Sequence, residues 1–258
     1  MRITLIGGPT AMLEINGLRL LTDPTFDPAG SEYLRGPVVL RKTAGPACDP
    51  EDLQPIDAVL LSHDQHADNL DDSGRAFLSR VRQVFTTQVG AQRLGGNAVG
   101  LAPWETAEFT AADGCAALQI TATPARHGPP GIEPITGDVV GFVVAPPAGR
   151  PDEAVYITGD TVWYEGVAEV ARRFAVRSVV LFAGAARLKG RGAFDLTMNC
   201  DDAIATARAF PHAHIFPVHY QGWEHFTESQ QDLANAFSRA GLSSRLHPLE
   251  MGIPTECA

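Results

Sequence analysis

The densest group of side chains able to do chemistry runs Ser62-His63-Asp64-Gln65-His66-Ala67-Asp68-Asn69. It follows directly on Ala58-Val59-Leu60-Leu61, an apolar run of the kind that forms a buried strand. Imidazole nitrogen and carboxylate oxygen are donors that suit zinc, manganese or iron. Three later residues repeat the placement: His127 after Leu118 to Thr123, Asp160 after Ala154 to Thr158, and His219 after Ile215 to Val218. Each falls at the carboxyl end of a predicted strand, where α/β sheets collect ligand sites along one rim. A single loop histidine is ordinarily just solvated. Four strand-end sites of matching chemistry together point to a metal centre built from His63, His66, Asp68, His127, Asp160 and His219.

Other residues have two readings each. Asp23, in Leu21-Thr22-Asp23-Pro24, either orients a ligating histidine or starts an Asp-Pro turn. His225 either lines the pocket or simply precedes a helix. Arg126, beside His127, either meets an anionic substrate group or is solvated. His212 and His214 read as structural, and His247 carries no signal. Rival catalytic templates are missing: the sequence holds no G-x-S-x-G elbow, no G-x-x-x-x-G-K-[ST] loop, no G-x-G-x-x-G after a strand, and no HExxH or CxxC zinc signature. Gly7-Gly8-Pro9 is a tight turn rather than a phosphate cradle, because Pro9 lacks an N–H.

The elements that must position these residues are short strands separated by Gly, Pro, Asn and Asp clusters. Predicted strands cover residues 3–6, 11–15, 18–21, 58–61, 118–123, 139–144, 154–158, 179–182 and 214–218. Asn16-Gly17 is a hairpin turn. Helices are expected over 71–84, over 203–210 and after Thr227, the last with a Thr227–Gln230 capping box and a Gly241 stop. Residues 22–56 and 124–137, rich in Pro and Gly, read as ordered loops. The fold class is mixed α and β, and residues 1–258 form one domain.

Bulk properties narrow the function. With 45% hydrophobic and 19% charged residues among 258, the chain is globular rather than disordered. A net charge of −10 excludes a nucleic-acid backbone as main partner, since that needs clustered Lys and Arg. A small-molecule substrate is the expected partner, and a homo-oligomer stays open. No apolar run approaches the roughly 20 residues of a membrane span. Cys48, Cys115, Cys200 and Cys257 lie far apart and are expected as free thiols; a cytoplasmic location follows.

These motifs, taken in order, resemble the metallo-β-lactamase superfamily, and within it the branch of L-ascorbate-6-phosphate lactonase and N-acyl phosphatidylethanolamine phospholipase D. The resemblance runs from Gly7-Gly8-Pro9-Thr10 and Leu21-Thr22-Asp23-Pro24 through the His63 cluster, Ala125-Arg126-His127-Gly128, Thr158-Gly159-Asp160-Thr161 and Leu196-Thr197-Met198 to Pro217-Val218-His219. It implies a four-layer αββα sandwich and hydrolysis of an ester, lactone or phosphodiester by a metal-activated water. The family motif is H-x-H-x-D-H, and this sequence departs from it. Read without a gap from His63, Gln65 takes the second His. Read backward from Asp68, His66 takes the second His and Asn69 the last, with one residue inserted. On the second reading, the resemblance places His63, His66 and His127 at one metal, Asp68 and His219 at another, and Asp160 between them. Asp68 is the alternative base if only one metal binds. One or two divalent ions (zinc, manganese or iron) are implied. Gln65 and Asn69 also motivate the rival reading, a degenerate member that binds a ligand or partner without turnover.

Overall fold

The computed structural model describes all residues except 36–37, 54, 148–153, 189–191, 193 and 258. The chain opens with the antiparallel strands β1 (Arg2–Gly7), β2 (Thr10–Ile15) and β3 (Leu18–Thr22). A separate hairpin, β4 (Glu32–Arg35) and β5 (Val38–Arg41), comes next. Then follow β6 (Ala58–Leu60), α1 (Asp72–Phe77), β7 (Gln83–Thr87), α2 (Gln88–Leu94) and β8 (Ala98–Leu101). The second half comprises β9 (Thr106–Thr110), β10 (Ala117–Pro124), α3 (Glu133–Thr136), β11 (Val140–Ala145), β12 (Val155–Ile157) and α4 (Glu165–Arg173). It ends with β13 (Ser178–Phe182), α5 (Cys200–Ala209), β14 (His214–Val218), α6 (Gln230–Arg239) and β15 (Thr255–Glu256).

These strands make two sheets, ordered β15-β1-β2-β3-β6-β7-β8 and β14-β13-β12-β11-β10-β9. Side-chain alternation explains how they stack. Leu60 of β6 and Val180 and Phe182 of β13 point into a shared core between the sheets, with Leu13, Leu20, Ile120 and Phe142. Val59 and Leu61 point the other way, onto Phe77 and Leu78. Val179 and Leu181 likewise face Val167 and Val170 of α4, Ile204 of α5 and Phe237 of α6. The result is the expected four-layer αββα sandwich. No helix among the described residues is long and apolar enough to cross a membrane.

The structure corrects several local expectations. The helix expected over 71–84 stops at Phe77, and residues from Gln83 pair instead with β6 and β8. Val84-Phe85 is β-prone and its backbone finds partners on both sides, which overrides the helical spacing. The last helix starts at Gln230 with a Ser229–Asp232 capping box. Thr227 cannot cap it, because its hydroxyl donates to Ala185 O and its N–H to Gly184 O. The two expected loops contain the β4–β5 hairpin and α3. The Asn16-Gly17 turn is as expected, with φ of 49° and 80°.

A buried polar knot ties Phe26, Asp27 and Lys42 to the start of α1. Asp71 caps α1 through Gly74 N and also accepts from Phe26 N, Asp27 N and Lys42 Nζ, all at 2.7–2.9 Å. Lys42 is 4% exposed and lies 5.5 Å from the Trp223 ring centre. Gly74 packs so closely on this loop that a Cβ would stand 1.8 Å from Pro24 O. Gly74→Ala should therefore destabilise by about 1–3 kcal/mol or more. Lys42→Met, which strands the Asp71 charge, should cost about 3–5 kcal/mol. Denaturant unfolding measures both, and unchanged midpoints would contradict this account of the knot.

Candidate metal centre

All the strand-end residues reach one rim. His63 follows β6, His127 follows β10, Asp160 follows β12 and His219 follows β14, while Asp23 follows β3. Two backbone hydrogen bonds join the sheets there: Val140 N to Ser62 O (3.1 Å) and His219 N to Gly8 O (2.8 Å). His219 holds a φ of 58° and Asp23 one of 27°, left-handed conformations that are costly away from glycine.

The first cluster is His63, His66 and His127. His66 Nδ1 stands 2.9 Å from His63 Nε2 and 3.1 Å from His127 Nε2. The outer nitrogens fix the tautomers. His127 Nδ1 donates to Leu196 O at 2.8 Å. Ser62 gives its hydroxyl proton to Asp23 Oδ2 (2.7 Å), so it accepts from His63 Nδ1 at 2.8 Å. His63 Nε2 and His127 Nε2 therefore turn lone pairs inward toward His66. Burial, then the neighbouring imidazoles, lower the pKa of His63 well below normal and that of His66 to about 4. Converging neutral imidazole lone pairs are what a divalent transition metal requires.

The second cluster is Asp68, Asp160 and His219. His219 Nε2 lies 3.4 Å from Asp160 Oδ1 and 3.6 Å from Asp68 Oδ2. Asp160 Oδ2 lies 3.6 Å from His127 Nε2, so this carboxylate faces both clusters. Burial alone would raise both acids; His219, with His225 for Asp68 and with His127 and His63 for Asp160, outweighs it and holds them low. Burial opposes a charge on His219, but Asp160 and Asp68 raise its pKa to about 10, so a cation held by the same two carboxylates would take the place of that proton. Asp160 Oδ2, Asn69 Oδ1 and both His219 nitrogens are buried without a hydrogen bond. These orphaned donors and acceptors fit a cation at this cluster too.

The remaining candidates divide. Asp23 is buried, accepts from Ser62 N (2.6 Å) and Asn69 Nδ2 (3.2 Å), and is pushed up to about 7 by burial against those donors. Its bonds to Ser62 N and Oγ tie it to the His63 loop. Asn69 also donates to Asp160 Oδ1 at 3.3 Å. His225 Nε2 sits 3.0 Å from Asp68 Oδ2 and lines the cavity rather than only preceding a helix. Gln65 turns from the clusters and donates to Thr136 O (3.0 Å) and Asp138 O (3.2 Å). Arg126 is half-buried and does not line the cavity. Its guanidinium stacks 4.5 Å from the Tyr164 ring centre, because its backbone is pinned to Thr161 Oγ1. His214 and His247 pair with each other at 2.7 Å. The Lys42–Asp71 pair behind the site was missed; Lys42, one of two lysines in the chain, was the available signal.

Both clusters open on a cavity of about 560 Å3, lined by His66, Asp68, His127 and His225 and otherwise largely by apolar side chains. The β-lactamase superfamily domain family matches residues 18–220. The chain belongs to the metallo-β-lactamase superfamily, whose metal-dependent hydrolases share this fold. Within that superfamily, the chain is 28% identical over 255 residues to the UPF0173 protein YddR of Bacillus subtilis (strain 168), covering 95% of this chain and 96% of that one. Its fold is similar to an isothiocyanate hydrolase from Delia radicum gut bacteria (TM-score 0.83, 24% identity, 99% and 98% of the two chains). It is equally similar to a possible metal-dependent hydrolase from Veillonella parvula DSM 2008 (TM-score 0.83, 20% identity, 99% and 98%). At these identities the solved structures speak for the fold alone.

Metal content tests the clusters. Protein equilibrated with zinc or manganese should retain at least one ion per chain. His127→Ala should hold one ion fewer than the wild type, and Ser62→Ala, which frees the His63 tautomer, should weaken affinity about 10–100-fold. Elemental analysis after dialysis reads both; the full wild-type content in His127→Ala would remove that histidine from the ligand set.

Proposed function

We propose that this superfamily member hydrolyses a small, uncharged ester or lactone, with His63, His66 and His127 holding one divalent ion and Asp68, Asp160 and His219 a second. The observation that carries this reading is two donor clusters, joined through Asp160, opening on one cavity. A divalent cation held by these residues would supply an acidified water and polarise the substrate oxygen. Around it, each residue has a task. Asp160 sets the spacing of the two clusters. Leu196 O and the Asp23–Ser62 pair hold His127 and His63 with their lone pairs inward. If only the first ion binds, Asp68 is free to accept a proton from the attacking water, and His225, 3.0 Å away, holds that carboxylate in place.

The branch of ascorbate-6-phosphate lactonase and N-acyl phosphatidylethanolamine phospholipase D leaves both lactones and phosphodiesters as substrates. What favours the lactone or ester is the largely apolar lining that Leu40, Ile132, Leu188, Phe194 and Leu196 give the cavity. The similarity in fold to an isothiocyanate hydrolase adds a second neutral electrophile for testing.

The test is a panel of p-nitrophenyl esters, γ-lactones, alkyl isothiocyanates and bis(p-nitrophenyl) phosphate. A neutral substrate should turn over, lose turnover with EDTA and regain it with zinc or manganese. Asp68→Asn should lower kcat about 10²–10⁴-fold. A metal-loaded protein silent across the panel would sink the hydrolase reading and leave a ligand-binding member that does not catalyse.

A further inference from the structure

The ligand clusters occupy one wall of the cavity. Leu40, Ile132, Ile135, Leu188, Phe194 and Leu196 form much of the rest. They arrive from three segments: β5, the stretch carrying α3, and the stretch before α5. Asp68 is the one carboxylate among the described lining residues, and no described Lys or Arg joins it. Described arginines nearby have other partners. Arg126 stacks on Tyr164, Arg187 Nε binds Asp195 (2.5 Å), and Arg41 binds Glu32 (2.7 Å) and Glu224 (3.6 Å). Ile135 is 78% exposed to solvent although it borders this space. The volume is that of a small-molecule pocket, and its wall gains most by covering apolar surface.

We propose that this wall binds the apolar substituent of an uncharged substrate, and that Gln65 is the positioning residue that fixes the wall against the ligand loop. The proposal rests on the hydrolase reading for its reaction, though not for its binding site. Its structural basis is the α3 segment. Four residues of helix cannot hold their own place. Gln65 supplies the anchor by donating to Thr136 O and Asp138 O at the end of α3. Gln65 is itself held: its Oε1 accepts from Arg93 Nη2 (3.1 Å), and Arg93 Nε binds the buried Asp64 (2.9 Å). Gly137 (φ +78°) makes room for this side chain: a Cβ there would meet Gln65 Nε2 at 2.3 Å. Gln65 is one residue from His66, so the clamp sets how far Ile132 and Ile135 stand from His66 and His127. The residue that replaces a ligand histidine in the ungapped motif is thereby used to shape the substrate site.

The test measures binding and turnover separately on zinc-loaded full-length protein. Calorimetry of straight-chain amides from acetamide to octanamide should show affinity rising about three- to fourfold per methylene until the cavity is full. Across p-nitrophenyl acetate to octanoate, kcat/KM should rise in parallel, mainly through KM. Ile135→Asp, at an exposed position, should flatten both slopes with metal content and melting temperature unchanged. Gln65→Met, which keeps the size but loses the clamp, should also flatten them with the metal retained. A wild-type series without slope, or octyl phosphate binding more tightly than octanamide, would overturn the proposal. A wild-type slope that Gln65→Met leaves intact would overturn the role of Gln65. Chain-length-dependent binding without turnover of any ester would support the apolar site and count against the hydrolase reading; turnover indifferent to chain length would do the reverse.

Discussion

Asp160 is completely buried between His127 and His219. A carboxylate in such a place costs several kcal/mol of lost hydration unless opposite charge and hydrogen bonds replace the water. Much of the rim meets that demand. Asn69 donates from one side, while His219, His127 and His63 surround the other. Gly159, at φ +61°, makes the preceding turn, where a Cβ would lie 2.6 Å from Val140 O. That contact falls beside the Val140–Ser62 bond that joins the sheets. The electrostatics of one acid and the docking of two sheets are thus settled within a few residues.

The same economy runs through the loops behind the site. Asp71 satisfies a helix end, two loop amides and a buried lysine at once, and so fixes the chain leading into the β4–β5 hairpin. Leu40 of that hairpin lines the cavity. The shape of the substrate space therefore depends on a polar knot that contributes no ligand.

The rim was legible in the sequence because strand ends are. An apolar run that stops at a His or Asp places that residue at the edge of a sheet whatever the rest of the chain does. His127, Asp160 and His219 were found that way, and the His63 cluster by its density. Partner choice was not legible. His225 meets Asp68, and Gln65 meets Thr136, across separations that no local pattern encodes. Arg126 looked available because it neighbours a ligand, but backbone direction turned it onto Tyr164. The 71–84 segment failed for a related reason: its helical spacing is real, yet two neighbouring strands compete for Val84-Phe85. Where tertiary partners outbid local preference, a single sequence is silent.

The proposed ligand donors are divided between the two halves of the chain. His63, His66 and Asp68 follow a strand of one sheet, and His127, Asp160 and His219 follow strands of the other. Held as proposed, one ion would link residue 63 to residue 127 and a second would link residue 68 to residue 219, each across the two sheets. Such a link removes chain entropy from the unfolded state, as a long-loop disulfide does. By mass action, an ion present at a hundredfold its Kd adds about 2.7 kcal/mol to stability. On the proposed reading, a cofactor for chemistry would at the same time fasten the sandwich, so that losing the metal would loosen the layers as well as stop the reaction.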